Sequence, residues 1–134
     1  EATEVAQIVF LRRFWPAIRA KAATPAGRLA MLARIAGMLP THTRRSEESE
    51  SLQQFSTPLP LGYVAALACG LQPGEVLLEP SAGTGLLAIH AELAGARLNL
   101  NELAATRAGL LAALYPAGSV TQLDAAQIHD RLAE

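Results

Sequence analysis

The stretch Glu75–Gly85, E-V-L-L-E-P-S-A-G-T-G, constrains this chain more than any other. Val76-Leu77-Leu78 is a short apolar, β-prone run that ends on the acid Glu79. A Pro-Ser-Ala-Gly-Thr-Gly turn follows, and then the apolar, helix-like run Leu86-Leu87-Ala88-Ile89. Strand, tight glycine loop and helix, in that order, open a parallel α/β sheet whose loop lies at the carboxyl edge of the strands. The loop also holds Gly83-x-Gly85-x-x-Ala88, which admits a dinucleotide-binding reading.

The residues that follow repeat the unit. The first helix is expected from Thr84 to Ala94, with Gly95 as its stop. Arg97–Asn101 alternates like a short strand and ends at Glu102. A helix from about Ala104 to Tyr115 is terminated by Pro116. Ser119–Leu123 is a third strand, ending at Asp124, and Ala125–Leu132 carries a last helical turn or two. With right-handed crossovers this β-α-β-α-β-α pattern is a parallel three-strand half-sheet. The fold class is therefore α/β, a partial Rossmann-like sheet. Such sheets normally continue beyond their first strand. Val76-Leu77-Leu78 would thus be an open apolar edge. The expectation is a piece of a longer protein, its edge free for the missing half of the sheet or for a second copy in a dimer.

An α-helical hairpin precedes the sheet. Residues 2–23 place Val5, Ile8, Val9, Leu11, Phe14 and Trp15 at helical spacing, with a potential kink at Pro16. Thr24-Pro25 is a helix start, and the second helix runs to about Leu39 with Leu29, Leu32 and Ile35 on its apolar face. Residues 41–53, T-H-T-R-R-S-E-E-S-E-S-L-Q, are a polar linker between this segment (1–40) and the sheet-forming part (54–134). In Gln54-Phe55-Ser56-Thr57-Pro58, Thr57 can cap a helix starting at Pro58. That helix carries Leu61, Val64, Ala65, Leu67 and Ala68, and closes near Gly70.

Composition narrows the function classes. Of 134 residues, 51% are hydrophobic but only 4% aromatic, so Ala- and Leu-rich helices on a small sheet are favoured. The formal net charge of -1 does not announce a nucleic-acid partner. It is unevenly spread, however. Residues 1–50 hold eight Arg and Lys against five Glu, while residues 51–134 hold three Arg against seven acids. The basic amino-terminal helices read either as a face beside nucleic acid or as a solvated outer surface. The single cysteine, Cys69, excludes a disulfide framework, suits a reducing cytoplasm and is expected in the core. No apolar run reaches the ~18 residues of a membrane span. His42, His90 and His129 have no partners at ligand spacing, so no metal site is expected.

Each strand ends in an acid: Glu79, Glu102 and Asp124. In a parallel sheet they share one edge, where ligands bind. Carboxylates there disfavour a pyrophosphate, which wants bare amides and a helix amino terminus. They suit a sulfonium, a ribose diol and an adenine amine, the groups of S-adenosylmethionine. Glu79 would attract the cationic methionyl end. Glu102 would accept the ribose hydroxyls and Asp124 the adenine amine, while Gly83 and Gly85 allow close backbone approach.

Glu79-Pro80-Ser81-Ala82-Gly83-Thr84-Gly85 resembles the first motif of class I S-adenosylmethionine-dependent methyltransferases. More narrowly it is similar to the D/E-P-x-x-G-x-G form of amino-methyltransferases acting on nucleic-acid adenine. In one group of these a Y/F-x-T-P segment precedes the motif, and Phe55-Ser56-Thr57-Pro58 matches it. The run from Gln53 to Leu103 looks most like the methyltransferase-like region of bacterial strawberry-notch-type proteins, which precedes a helicase-like ATPase. The resemblance implies that Phe55 and Thr57 sit against the methionyl part of the cofactor. It extends the candidate cofactor-binding set to the flanking residues Gln54, Ser56, Pro80, Ser81, Ala82, Asn101, Leu103 and Ala125. It also implies nucleic acid and a helicase-like domain as partners through the parent protein.

The D/N/S-P-P-Y/F/W tetrapeptide that holds the target amine in such enzymes is absent from the sequence. The expectation is a cofactor-binding half that does not transfer a methyl group by itself, and no catalytic residue is assigned. Two rivals stand beside it: a non-catalytic methyltransferase-fold docking module and a dinucleotide-binding oxidoreductase fragment.

Overall fold

The computed structural model describes residues 1–40 and 55–130. Among them five α-helices and one three-stranded sheet form an α/β fold: α1 (Ala2–Lys21), α2 (Pro25–Gly37), α3 (Leu59–Cys69), β1 (Val76–Glu79), α4 (Ala88–Ala94), β2 (Arg97–Asn101), α5 (Ala105–Leu114) and β3 (Ser119–Thr121), followed by a 3₁₀ helix (Ala125–Asp130). The sheet is parallel, in the order β1-β2-β3. Glu79 lies level with Leu100, and Asn101 with Thr121, so the carboxyl ends of the strands share one edge. Among the described residues β1 pairs with β2 alone, and Val76 and Leu78 are about half exposed. Among the described residues no helix is long and apolar enough to cross a membrane.

The helical pair and the sheet share one core. Ile8 and Leu11 of α1 and Leu32 of α2 are buried with Leu59, Ile89, Leu98, Leu100 and Leu111. Arg12 adds a two-point bond to Glu92 Oε2 of α4, at 2.9 and 2.8 Å. Thr24 caps α2 as its position predicts, accepting from the Gly27 amide at 3.1 Å. α1 runs unbroken through Pro16, whose side is exposed.

Several expectations are corrected. α4 begins at Ala88, four residues late, because the glycine loop extends through Gly85, whose φ of +91° no helix accepts. Thr57 does not cap α3: Pro58 takes the cap position, without a side-chain bond. β3 stops at Thr121 because the Leu123 amide turns to the Asn101 side chain at 2.9 Å. α3 buries Leu59, Gly62 and Tyr63, not the opposite face, and Leu61, Val64 and Leu67 are exposed. Gly62 sets that choice by admitting the His90 ring, whose Cδ2 would lie 3.1 Å from an added Cβ. Cys69 follows the outward face and is exposed rather than core. On α1 the buried line is Glu4, Ile8, Leu11 and Ile18, and Val9 and Phe14 lie outside it.

Candidate functional site

The loop after β1 takes its shape from two glycines in the left-handed region, Gly83 (φ +59°) and Gly85 (φ +91°). They face different neighbours. A Cβ on Gly85 would lie 2.3 Å from Cε2 of Tyr115, whose ring covers the residue and whose hydroxyl donates to the Gly85 carbonyl at 2.6 Å. At Gly83 the nearest atom to an added Cβ is Arg107 Nη1, at 3.7 Å.

Glu102 ties that loop to the second strand. Its buried carboxylate accepts from the Gly83 amide through Oε2 and from the Ala104 amide through Oε1, both at 2.8 Å. A carboxylate oxygen has two lone pairs, so each keeps one acceptor site. Asn101 fastens all three strand ends. Its Nδ2 donates to the carbonyls of Pro80 and Leu123, and its Oδ1 accepts from the Thr121 hydroxyl and the Leu123 amide, all within 2.8–2.9 Å. That side chain is fully engaged by the loops. Asp124 is exposed and accepts from the Ala126 amide at 3.0 Å, opening the 3₁₀ helix.

Glu79 is electrostatically the most unusual of the three acids. Burial pushes its carboxyl up from 4.5 to about 7. One of its oxygens, Oε2, is buried with no hydrogen-bond partner. A buried carboxylate oxygen without a donor is costly and favours the protonated acid or a cation beside it.

Two adjoining hollows follow from this geometry. The larger, about 380 Å³, is lined by Phe55, Pro80, Ser81, Gly83, Asn101, Glu102, Leu103, Arg107, Leu123, Asp124 and Ala125. The smaller, about 30 Å³, is lined by Phe55, Ser56, Thr57, Glu79, Ser81, Ala82, Gly83 and Thr84, with Leu86 and Leu87. Thirteen of the fifteen candidate residues thus line one hollow or the other. Gly85 lines neither and lies against Tyr115. Gln54 lies outside the described residues. The three acids divide, with Glu102 and Asp124 in the larger hollow and Glu79 in the smaller.

Sequence reasoning missed the groups that α1 and α5 bring. Buried Glu4 accepts from the hydroxyls of Ser56 and of Thr84, the latter at 2.8 Å. Burial opposes its ionisation, but those hydrogen bonds prevail and hold the carboxyl below its ordinary value. Buried Arg107 pairs with Glu1 at 2.8 Å. A signal for Glu4 existed: Glu4, Ile8, Leu11 and Ile18 fall on one helical stripe, and an acid on an apolar stripe needs donors. Arg107 stands alone in the apolar run A-A-T-R-A-G-L-L.

Comparison with known protein families, with curated proteins and with solved structures finds no match to this chain.

Proposed function

We propose that the paired hollows bind S-adenosylmethionine and that the chain is the cofactor-binding part of an amino-methyltransferase domain acting on nucleic-acid adenine. The observation that carries the reading is Glu102: a buried acid at the end of β2, oriented by the Gly83 amide and retaining acceptor capacity on the wall of a hollow of about 380 Å³. That volume lies in the range of roughly 300–1,000 Å³ usual for small-molecule sites. Glu102 would hold the ribose hydroxyls and Asp124 the adenine amine, with Phe55 and Leu103 as apolar walls. The unpartnered Oε2 of Glu79 suits a sulfonium on the methionyl side. When bound, the cofactor supplies a methyl group on a cationic sulfur to an amine nucleophile. The chain's own residues contribute binding and orientation. On the same reading, the open edge of β1 is where the rest of the sheet, or a second copy, would add.

One observation favours the rival docking module. Ser56, Thr84 and Arg107 are engaged by Glu4 and Glu1, and the space beside Glu79 is only about 30 Å³. Calorimetric titration separates the readings. Saturable binding of S-adenosylmethionine and S-adenosylhomocysteine, but not NAD, is expected. Asp124→Ala should weaken it while leaving the circular dichroism spectrum unchanged. No binding at millimolar cofactor would reject this reading in favour of the docking module.

A further inference from the structure

A second cleft, of about 290 Å³, opens among the helices and shares no lining residue with the two hollows at the glycine loop. Three rings build its inner wall. Trp15 of α1 meets Tyr63 of α3 edge-on at 5.8 Å between centroids, and His90 of α4 lies 6.4 Å from Trp15 and 5.6 Å from Tyr63. Arg19 and Arg28 also line it, and among the described residues no acidic one does.

The two guanidiniums differ in what they have left to offer. Arg28 donates to the Tyr63 hydroxyl at 2.7 Å and to the carbonyls of Ala22 and Ala23 at 3.4 and 3.2 Å. Those neutral partners hold it in place without cancelling its charge. Arg19 has no ion pair among the described residues. Two cations at one mouth, one of them held in place, with no counter-charge among the described residues, suit an anion with several oxygens.

His90 adds an unspent acceptor. It is 4% exposed, and its Nε2 lies 3.1 Å from the Leu59 carbonyl. A carbonyl only accepts, so Nε2 carries the proton and Nδ1 is left with a lone pair. Nδ1 is buried and has no hydrogen-bond partner. Burial lowers the ring's pKa to about 4, so it is neutral at pH 7 and Nδ1 stays an acceptor.

We infer that this helical cleft binds a 5′-nucleotide: the base lies against Trp15, beside the neutral His90 ring, and its phosphate is held by Arg19 and Arg28. Aromatic stacking and phosphate binding by arginine are the two usual halves of nucleotide recognition on a non-helical substrate. The nucleotide is either free or one link of a single strand.

The chain contains one tryptophan, so fluorescence excited selectively in tryptophan originates in this cleft. AMP should quench Trp15 saturably, at least tenfold more tightly than adenosine or inorganic phosphate alone. Arg19→Ala, which removes no described contact, should weaken AMP at least fivefold without lowering the melting temperature. A single-stranded oligoadenylate tighter than AMP assigns the site to a strand, and one equal or weaker assigns it to the free nucleotide. If neither AMP nor the oligoadenylate gives a saturable change, or if Arg19→Ala leaves their affinities unchanged, the inference is overturned. S-adenosylmethionine titrated alongside reads the other site, so either can fail without the other.

Discussion

Thr84 and Glu4 are eighty residues apart in the chain, yet the Thr84 hydroxyl donates to Glu4 Oε2 at 2.8 Å inside the protein. The same carboxylate takes the Ser56 hydroxyl, so one side chain of α1 joins the F-S-T-P segment to the glycine loop. Hydrogen bonds to a buried charge contribute about 1.5–3 kcal/mol each. Glu4→Ala should therefore lower unfolding stability by about 2–3 kcal/mol in a urea titration. A double-mutant cycle with Thr84→Val should show a coupling of at least about 1 kcal/mol. Zero coupling would mean that the Glu4–Thr84 bond adds nothing to stability.

The two loop glycines should respond differently to the same change. Gly85→Ala meets both a left-handed backbone and the Tyr115 ring 2.3 Å from the new carbon. Strain of about 1–3 kcal/mol and overpacking of similar size add at this site. Gly83→Ala meets the backbone penalty alone, with 3.7 Å to the nearest neighbouring atom, Arg107 Nη1. Melting curves should thus rank wild type above Gly83→Ala and Gly83→Ala well above Gly85→Ala. Equal losses would mean that Tyr115 swings aside.

Glu79 and His90 make opposite contributions to pH dependence. Glu79 has a folded pKa raised by burial from 4.5 to about 7, so its penalty is absent below pH 4.5 and grows as pH rises through 7. His90 has a folded pKa lowered by burial from 6.5 to about 4, so stability is intact above pH 6.5 and is lost as pH falls through 4. Each amounts to at most about 3 kcal/mol. Between pH 4.5 and 6.5 they oppose, and Glu79→Gln should expose the His90 slope, with stability falling toward acid. A variant whose stability is flat from pH 6.5 to 4 would contradict the burial of His90. If the cofactor reading holds, S-adenosylmethionine should also displace a proton from Glu79 near pH 7. Calorimetric enthalpies would then differ between buffers of different ionisation heat.

Asn101→Asp should be severe despite its small change in shape. It replaces the Nδ2 donor with an acceptor facing the carbonyls of Pro80 and Leu123. Loss of two buried bonds and the new repulsion should cost about 3–5 kcal/mol in denaturant titration. Asn101→Ala should cost somewhat less.

The sheet was legible because its signals are local. Arg97–Asn101 alternates, Gly95 and Pro116 punctuate, and the acids mark the strand ends. The hidden parts depend on partners distant in the chain. α3 is apolar on every side, so periodicity could not say that Gly62 and Tyr63 face inward until His90 and Trp15 were in place. Asn101 reads as an ordinary last strand residue, and only the approach of Leu123 and Pro80 gives it its partners. Glu102 and Asp124 were found from strand register, which sequence carries. The division of the acids between two hollows was not, because it depends on how segments distant in the chain come together around the loop.

Docking of α1 on α4 has a consequence for synthesis on the ribosome. Arg12 waits eighty residues for Glu92, and Glu4 as long for Thr84. At about 5–20 residues per second, α1 is complete roughly 3–14 s before these partners exist. Through that interval Ile8 and Leu11, which end fully buried, lack the part of their core that α4 supplies. α1 is therefore made well before its packing is complete, and the nascent chain is more exposed to chaperones and to aggregation before α4 emerges.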